Sequence, residues 1–373
     1  MEPVYFTTKV ATGTAFCNRE TERQVLARCI AKNQHTVITA PRRYGKTSLV
    51  IRTLAEGKQP YACIDLFCVV YEEDVCRKVA RAVSNLIRKI ATFSEKTIQL
   101  LEASFKTLSV GIKAGALEIK TELARTNGNA ITQLEDLLQG LETFAAKHKT
   151  PVTLYFDEFQ DVLKLAASNN IQATLRAIAQ HSKYVTYIFS GSSRKMLADI
   201  FDDKNQPLYM LCKKIELGRI ASEAFCVHIQ KAARQQWKKP LGEATIAPIL
   251  SLTECHPYYV NVLCDKLLEI HKLPNASDVE STWQAVLIEH RDKIIADLQL
   301  LNTNRLKVLS TIAWLNSINE PNSRQFLERV RLPLSTTQNA IKYLLDYDYL
   351  YEHDGELRLV DPLMKLFLRQ QQE

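Results

Sequence analysis

"TAPRRYGKTSLV", residues 39–50, departs at one place from the phosphate-binding pattern G-x-x-x-x-G-K-[ST]: Ala40 stands where the first glycine belongs. The run before it, HTVITA (35–40), is rich in β-branched residues, and the run after it, KTSLVIRTLAE (46–56), carries apolar residues at helical spacing. The stretch is therefore predicted as strand, turn and helix. In such a turn the backbone N–H groups and the positive end of the new helix converge on an anion. Pro41, Arg42, Arg43, Tyr44 and Gly45 would form the cradle, with Gly45 allowing close backbone approach. Lys46 would reach the β- and γ-phosphates and the Thr47 hydroxyl would meet Mg²⁺, with Ser48 beside them. A methyl group at position 40 is tolerable at negative φ, and Pro41 pushes Ala40 towards an extended conformation. The alternative is a chance G-K-T in a basic surface turn.

A second stretch weighs against chance. PVTLYFDEFQDV (151–162) is a buried-strand run ending in two adjacent carboxylates, Asp157 and Glu158. Consecutive residues at a strand end point to different sides, so Asp157 is expected to hold a metal ion's water shell while Glu158 orients or deprotonates an attacking water. A third strand, in KYVTYIFSGSSRKML (183–197), ends in small polar residues. Ligands of open α/β sheets bind at the carboxyl ends of strands, which would set Ser190 beside the γ-phosphate to polarise that water. Read without a ligand, SGSS is only the turn after a strand.

The chain has 373 residues, enough for two or three domains. Hydrophobic residues make up 46% and charged residues 24%, a globular balance. With no long apolar run and no basic-apolar leader, the sequence is expected to be soluble and cytoplasmic, with no membrane partner. Nine cysteines show no paired spacing suited to zinc or to a disulfide framework and are expected to be free thiols. A net charge of +7 permits an anionic partner without demanding one.

Strands are expected at 35–39, 61–67, 152–156, 184–189 and 213–217, separated by helical patterns, which makes an α/β fold with a parallel sheet. The interval 71–148 exceeds one crossover helix and reads as helix, β-hairpin (TLSVGIKAGALEIKTEL) and helix. From Ile220 the pattern turns helical. Residues from about 303 read as three helices and a strand pair turning at HDGE, a winged helix. The expected division is an α/β domain over 1–219, a helical lid over 220–302 and a winged helix over 303–373.

These stretches together resemble the AAA+-type P-loop ATPases, in particular the prokaryotic signal-transducing "STAND" group and related archaeal ATPases. FCNRETERQVL (16–26) resembles the family's F-x-G-R-E-x-E segment, with Asn18 in the glycine's place; the resemblance implies that Phe16 and Arg19 contact the adenine. Asn is the residue best suited to a left-handed backbone there. CHPYYVNVL (255–263) is similar to the G-x-P motif of the lid and implies His256 and Pro257 near the nucleotide, although Cys255 replaces the glycine. Read from the residues alone, His256 equally suits a structural role beside a helix-starting proline. QPLYMLCKKIEL (206–217) falls where the family often has L-Y-G-R; Met210 and Leu211 take the last two places, which leaves Arg194 as the substitute arginine, with Lys213 or Lys214 behind it. An arginine acting on the transition state is worth about 10³-fold or more, so losing the usual one implies slow turnover. The resemblance also implies the strand order 5-1-4-3-2.

Residues 305–373 carry nine basic and nine acidic side chains, so the winged helix has no net charge and its wing is acidic. That opposes the counterion-release contribution on which DNA affinity rests. The expectation is an ATP- and Mg²⁺-binding switch that hydrolyses ATP slowly to ADP, with a protein partner or self-association favoured over DNA. A DNA-binding ATPase resembling origin-recognition or transposition regulators, and a non-hydrolysing nucleotide-bound scaffold, are the alternatives.

Overall fold

The computed structural model describes residues 4–91, 104–105, 109–113, 116–120 and 130–371. They group into two compact units: Glu20–Ala40 with Leu49–Leu217, and Met1–Arg19 with Pro41–Ser48 and Gly218–Glu373.

Strands of the first unit are β1 (Thr36–Thr39), β2 (Tyr61–Asp65), β3 (Ser109–Lys113), β4 (Ala116–Lys120), β5 (Val152–Asp157), β6 (Val185–Gly191) and β7 (Lys213–Glu216). Among the described residues, five of them form one parallel sheet in the order β2-β5-β6-β1-β7. Counting only sheet strands, this is the expected 5-1-4-3-2. β1, β5 and β6 are buried almost end to end, as strands covered on both faces require, whereas the edge strand β7 buries only Ile215. Register aligns Ile38 of β1 with Ser190 of β6, and Phe156 of β5 with Phe189, so Asp157 and Ser190 lie at one level of the sheet's carboxyl edge. Behind them Phe156 stacks on Phe189 with ring centroids 5.4 Å apart, and Phe159 meets Phe189 at 4.7 Å. This apolar stack fixes the two strand ends.

The helices are α1 (Glu20–Ala31), α2 (Lys46–Glu56), α3 (Glu72–Ile90), α4 (Ala130–Lys147), α5 (Ser168–Ala179) and α6 (Arg194–Phe201). α3 begins with Glu72, Glu73 and Asp74 and ends with Arg88 and Lys89, charges that complement its dipole, and packs against α4. β3 and β4 form the antiparallel hairpin expected in this interval, with Val110 opposite Ile119. Its turn residues 114–115 and its flanks lie outside the described residues.

The second unit contains α7 (Ser222–Gln236), α8 (Glu243–Thr253), α9 (Pro257–Leu268), α10 (Ala276–Gln299), α11 (Thr303–Leu315), α12 (Arg324–Val330), α13 (Leu334–Asp346), β8 (Leu350–His353), β9 (Glu356–Leu359) and α14 (Pro362–Gln370). One hydrophobic core runs through all of these helices, with Trp283 among its largest fully buried side chains. α8 and α9 are separate helices because Glu254 and Cys255 both take positive φ (49° and 55°) and turn the chain. The third helix of the winged helix ends at Asp346, and Asp348 adopts φ 59° before β8 begins. Asp354 and Gly355, at φ 52° and 77°, make the wing's turn as the D-G pair predicts. α14 was not foreseen: Asp361 caps it, Pro362 opens it, and Leu363, Met364, Phe367 and Leu368 bury one face.

Candidate functional site

The phosphate-loop candidate follows β1. Ala40 is fully buried and keeps a negative φ, so the missing glycine costs the backbone nothing there. Gly45 has φ 86°, and a Cβ on it would meet nothing within 4 Å; its backbone conformation, not crowding, selects glycine. Arg43 also has positive φ (66°), and its guanidinium lies 4.0 Å over the Tyr258 ring, a cation–π contact that offsets part of the left-handed cost of about 1–2 kcal/mol. Lys46 is 6% exposed and its Nζ donates to the Pro41 carbonyl at 3.0 Å. The Ser48 hydroxyl accepts from the Ala11 N–H at 2.9 Å, which pins the N-terminal segment on the loop. Thr47 is half-buried, and Arg42 is exposed.

A cavity of about 130 Å³ opens within this unit. Of the residues singled out from the sequence, Phe16, Arg19, Arg43, Tyr44, Gly45, Ser48 and Pro257 line it; Pro41, Arg42, Lys46, Thr47 and His256 do not. Asn18 and Arg19 have φ 56° and 69°, the left-handed backbone expected of the glycine's replacement. Arg19 is buried, and its Nη2 donates to the Tyr44 carbonyl at 3.2 Å and the Gly218 carbonyl at 2.6 Å. It thereby holds the loop as well as bordering the cavity. His256 takes the structural place: it caps α9, its Nδ1 accepting from the Tyr258 N–H at 3.2 Å, and its ring meets Tyr44 edge-on at 4.8 Å. Burial first, then the charges of Arg219 and Arg43, hold its pKa well below the usual histidine value, so the imidazole is neutral.

In the other unit the acidic pair ends β5. Glu158 adopts φ 52°, and its N–H donates to Asp157 Oδ1 at 3.1 Å. The Ser190 hydroxyl donates to the same oxygen. A serine has one proton, so toward the Tyr155 hydroxyl, 2.7 Å away, Ser190 acts as acceptor. Ser190 is fully buried and Tyr155 1% exposed. The expected water-polarising hydroxyl is thus engaged in a Tyr155–Ser190–Asp157 relay that orients the carboxylate. Glu158 Oε2 accepts from Gln160 Nε2 at 2.6 Å, Ser192 Oγ at 2.7 Å and the Ser192 N–H at 3.2 Å. Gly191 makes room for this, since a Cβ there would stand 1.9 Å from Gln160 Oε1.

Arg194 is half-buried at the start of α6. Lys214 pairs with Asp202 at 2.8 Å, and Lys213 is exposed. Met210, in the family glycine's place, adopts φ 53° with 77% of its surface exposed. Sequence reasoning missed Tyr155, Gln160 and Ser192. The first is hidden in a strand whose composition asks only for burial, and the others are polar residues two positions beyond a motif. Tyr258, in the quoted CHPYYVNVL stretch, carried no signal for its stacking on Arg43.

Residues 293–370 match the family described as "Probable winged helix domain". Among solved structures, the chain is similar to the Walker-type ATPase of Pyrococcus abyssi, at 17% identity and TM-score 0.69, over 95% of this chain and 96% of that one. It is also similar to the Aeropyrum pernix ORC2 protein, solved as ADPNP–ADP complexes, at 12% identity and TM-score 0.55, over 94% and 92% of the two chains. No curated protein sequence matches. The fold is therefore that of the AAA+ P-loop ATPases, a parallel five-stranded sheet with helices, joined in this chain to a C-terminal winged helix. No described helix is long and apolar enough to cross a membrane.

Proposed function

We propose that the chain is an ATP-binding, ATP-hydrolysing molecular switch of the STAND type, in which nucleotide state sets the arrangement of lid and winged helix and so the binding of a protein partner or second copy. One observation carries this reading. Seven residues chosen from sequence for a nucleotide, spread from Phe16 to Pro257, border one cavity. The loop N–H groups and the Lys46 ammonium would hold the phosphates, and Phe16 the adenine.

Thr47 and Asp157 supply a hydroxyl and a carboxylate, the oxygen donors a hard cation takes. Among the described residues no group of three or more His, Cys, Asp or Glu forms a metal cage. Each of the two residues is a donor of the kind Mg²⁺ takes when carried by phosphates with much of its water shell kept. Bound there, the ion would neutralise charge on the transferred phosphoryl group. Glu158 is assigned to draw the proton from the attacking water, its carboxylate held by Ser192 and Gln160. Ser190 keeps Asp157 oriented, and Arg194 is the candidate cation for transition-state charge. DNA is the weaker partner, because Glu352, Asp354 and Glu356 make the wing acidic.

The test is a nucleotide titration with phosphate release. Lys46→Ala should weaken ATP binding by about 100-fold or more, the scale of a buried charge-assisted contact. Glu158→Gln should keep binding and lower turnover by about 10²–10⁴-fold. An unchanged titration for the first variant would remove the loop from the reading. Equal phosphate release for the second would discard Glu158's role, and a parent that binds ATP yet releases no phosphate would be a nucleotide-bound scaffold.

A further inference from the structure

Two of the loop residues, Arg43 and Tyr44, touch the corner between α8 and α9, and the same corner is tied to the winged helix. Tyr44 meets the His256 ring at 4.8 Å, and its carbonyl shares the Arg19 guanidinium with Gly218, whose peptide leads directly into Arg219. Arg219 Nη1 donates to the Glu254 carbonyl and to Glu254 Oε2, each at 2.6 Å; Nη2 donates to the carbonyls of Leu359 and Val360 at 3.2 and 3.1 Å, where β9 ends. Its guanidinium lies 4.9 Å from the Tyr351 ring of β8. Glu254 Oε1 accepts from Lys365 of α14.

A second line runs parallel to the first. Arg43 covers Tyr258, whose ring meets Tyr259 at 5.1 Å, and the Tyr259 hydroxyl donates to Asp361, the residue that caps α14. The side chains of Arg219, Glu254 and Lys365 are 13%, 20% and 12% exposed. Such a shielded pair is strongly destabilised by loss of one partner, so displacing one member displaces the others rather than leaving a charge unpaired. Burial opposes the charge on Arg219, yet Tyr44, Glu254 and Tyr351 together hold its pKa above the ordinary arginine value. Neither Arg219 nor Glu254 borders the cavity. Their position suits transmission, not binding.

We infer that the Arg219–Glu254–Lys365 cluster is a coupling device through which occupancy of the phosphate loop is read out at the wing and at α14. It rests on the nucleotide reading above and names the residues that would regulate that site. An anion held by residues 41–48 would move Arg43 and Tyr44, and the corner at 254–259 would pass the movement on to β8, β9 and α14. Arg219 and Glu254 act as positioning residues.

The experiment is hydrogen exchange on the full chain with ADP, with a non-hydrolysable ATP analogue and without nucleotide, alongside titration of both ligands. In the parent, exchange of β8, β9 and α14 should differ between the two nucleotides by several-fold. Glu254→Gln, which keeps volume and removes charge, should bind both nucleotides within about threefold of the parent and lose that difference. Lys365→Met, which cuts only the α14 contact, should lose it at α14 and keep it in the wing. If the parent binds nucleotide and its wing does not respond, or if both variants respond as the parent does, the coupling is overturned while the nucleotide reading stands. A parent that binds neither ligand overturns the reading and the coupling together.

Discussion

The cavity-bearing unit and the sheet-bearing unit fix their charged groups in opposite ways. In the first, cations are set on backbone carbonyls: Arg19 on those of Tyr44 and Gly218, Lys46 on that of Pro41. In the second, carboxylates are set by uncharged donors: Asp157 by Ser190, and Glu158 by Ser192 and Gln160. A carbonyl or a hydroxyl carries no formal charge, so these contacts orient each ion through a dipole. Arg219 departs from this, because it meets a carboxylate, Glu254, and it does not border that cavity. A guanidinium set against a carboxylate away from that cavity marks a joint.

Arg19→Ala should break the comparison most severely. It takes a charged donor from the buried Tyr44 carbonyl and from the Gly218 carbonyl and removes packing, and a hydrogen bond to a charged group contributes about 1.5–3 kcal/mol, so a loss of roughly 3 kcal/mol is expected in urea unfolding. Nucleotide affinity should fall with it, since Tyr44 loses its tie. Arg19→Lys should recover part of the stability only, because an ammonium lacks the planar fork that serves both acceptors. Equal stability of Arg19→Ala and parent would show that the carbonyl anchor carries no weight.

A smaller effect sharpens the other half. Ser190→Ala takes an acceptor from the buried Tyr155 hydroxyl and a donor from Asp157. The expected cost is about 1–2 kcal/mol of stability and about tenfold in turnover, at unchanged nucleotide affinity. Tyr155→Phe should cost less, since Ser190 can still donate to Asp157. A Ser190→Ala protein with parental turnover would return the relay to a purely structural role.

The sheet strands, the hairpin at 109–120 and the helices over 72–90 and 130–147 were legible, because each rests on a local period that burial then enforces, whereas the strand order came only from the family resemblance. The strand, turn and helix around residues 36–56 were legible despite Ala40, since a negative φ there needs no glycine. What the sequence hid lies beyond local pattern. Arg19 was read as a ligand contact, yet its carbonyl partners at 44 and 218 are remote in the chain. Ser190 was read as facing water, yet its burial depends on Tyr155 from a neighbouring strand. The break at Glu254–Cys255 was obscured because neither residue type favours the left-handed backbone that the turn demands. α14 went unread for a simpler reason: nine residues with a single apolar face look like a tail until a core is present to receive them.

The gentlest test uses pH and concerns His256, where binding motif and structural cap made rival claims. Its folded-state pKa lies well below the usual histidine value, so the unfolded chain binds the proton first as pH falls. Its contribution to stability is complete above the unfolded pKa and is lost as pH drops below it, at up to about 1.4 kcal/mol per pH unit for one proton. His35 and His228 are also depressed, mainly by burial, and add in the same direction. His256→Asn keeps a cap acceptor for the Tyr258 N–H and removes one titrating group. Thermal midpoints between pH 7.5 and 5.5 should therefore fall less steeply in the variant than in the parent, the remaining slope belonging to His35 and His228. Nucleotide affinity at pH 7.5 should be unchanged, since the imidazole is neutral there and does not line the cavity. Parallel pH slopes would mean that His256 is not buried in its neutral form. A weaker nucleotide complex with the slope reduced as expected would mean that the cap also serves the ligand, and the division between anchor and joint would then run through a single residue.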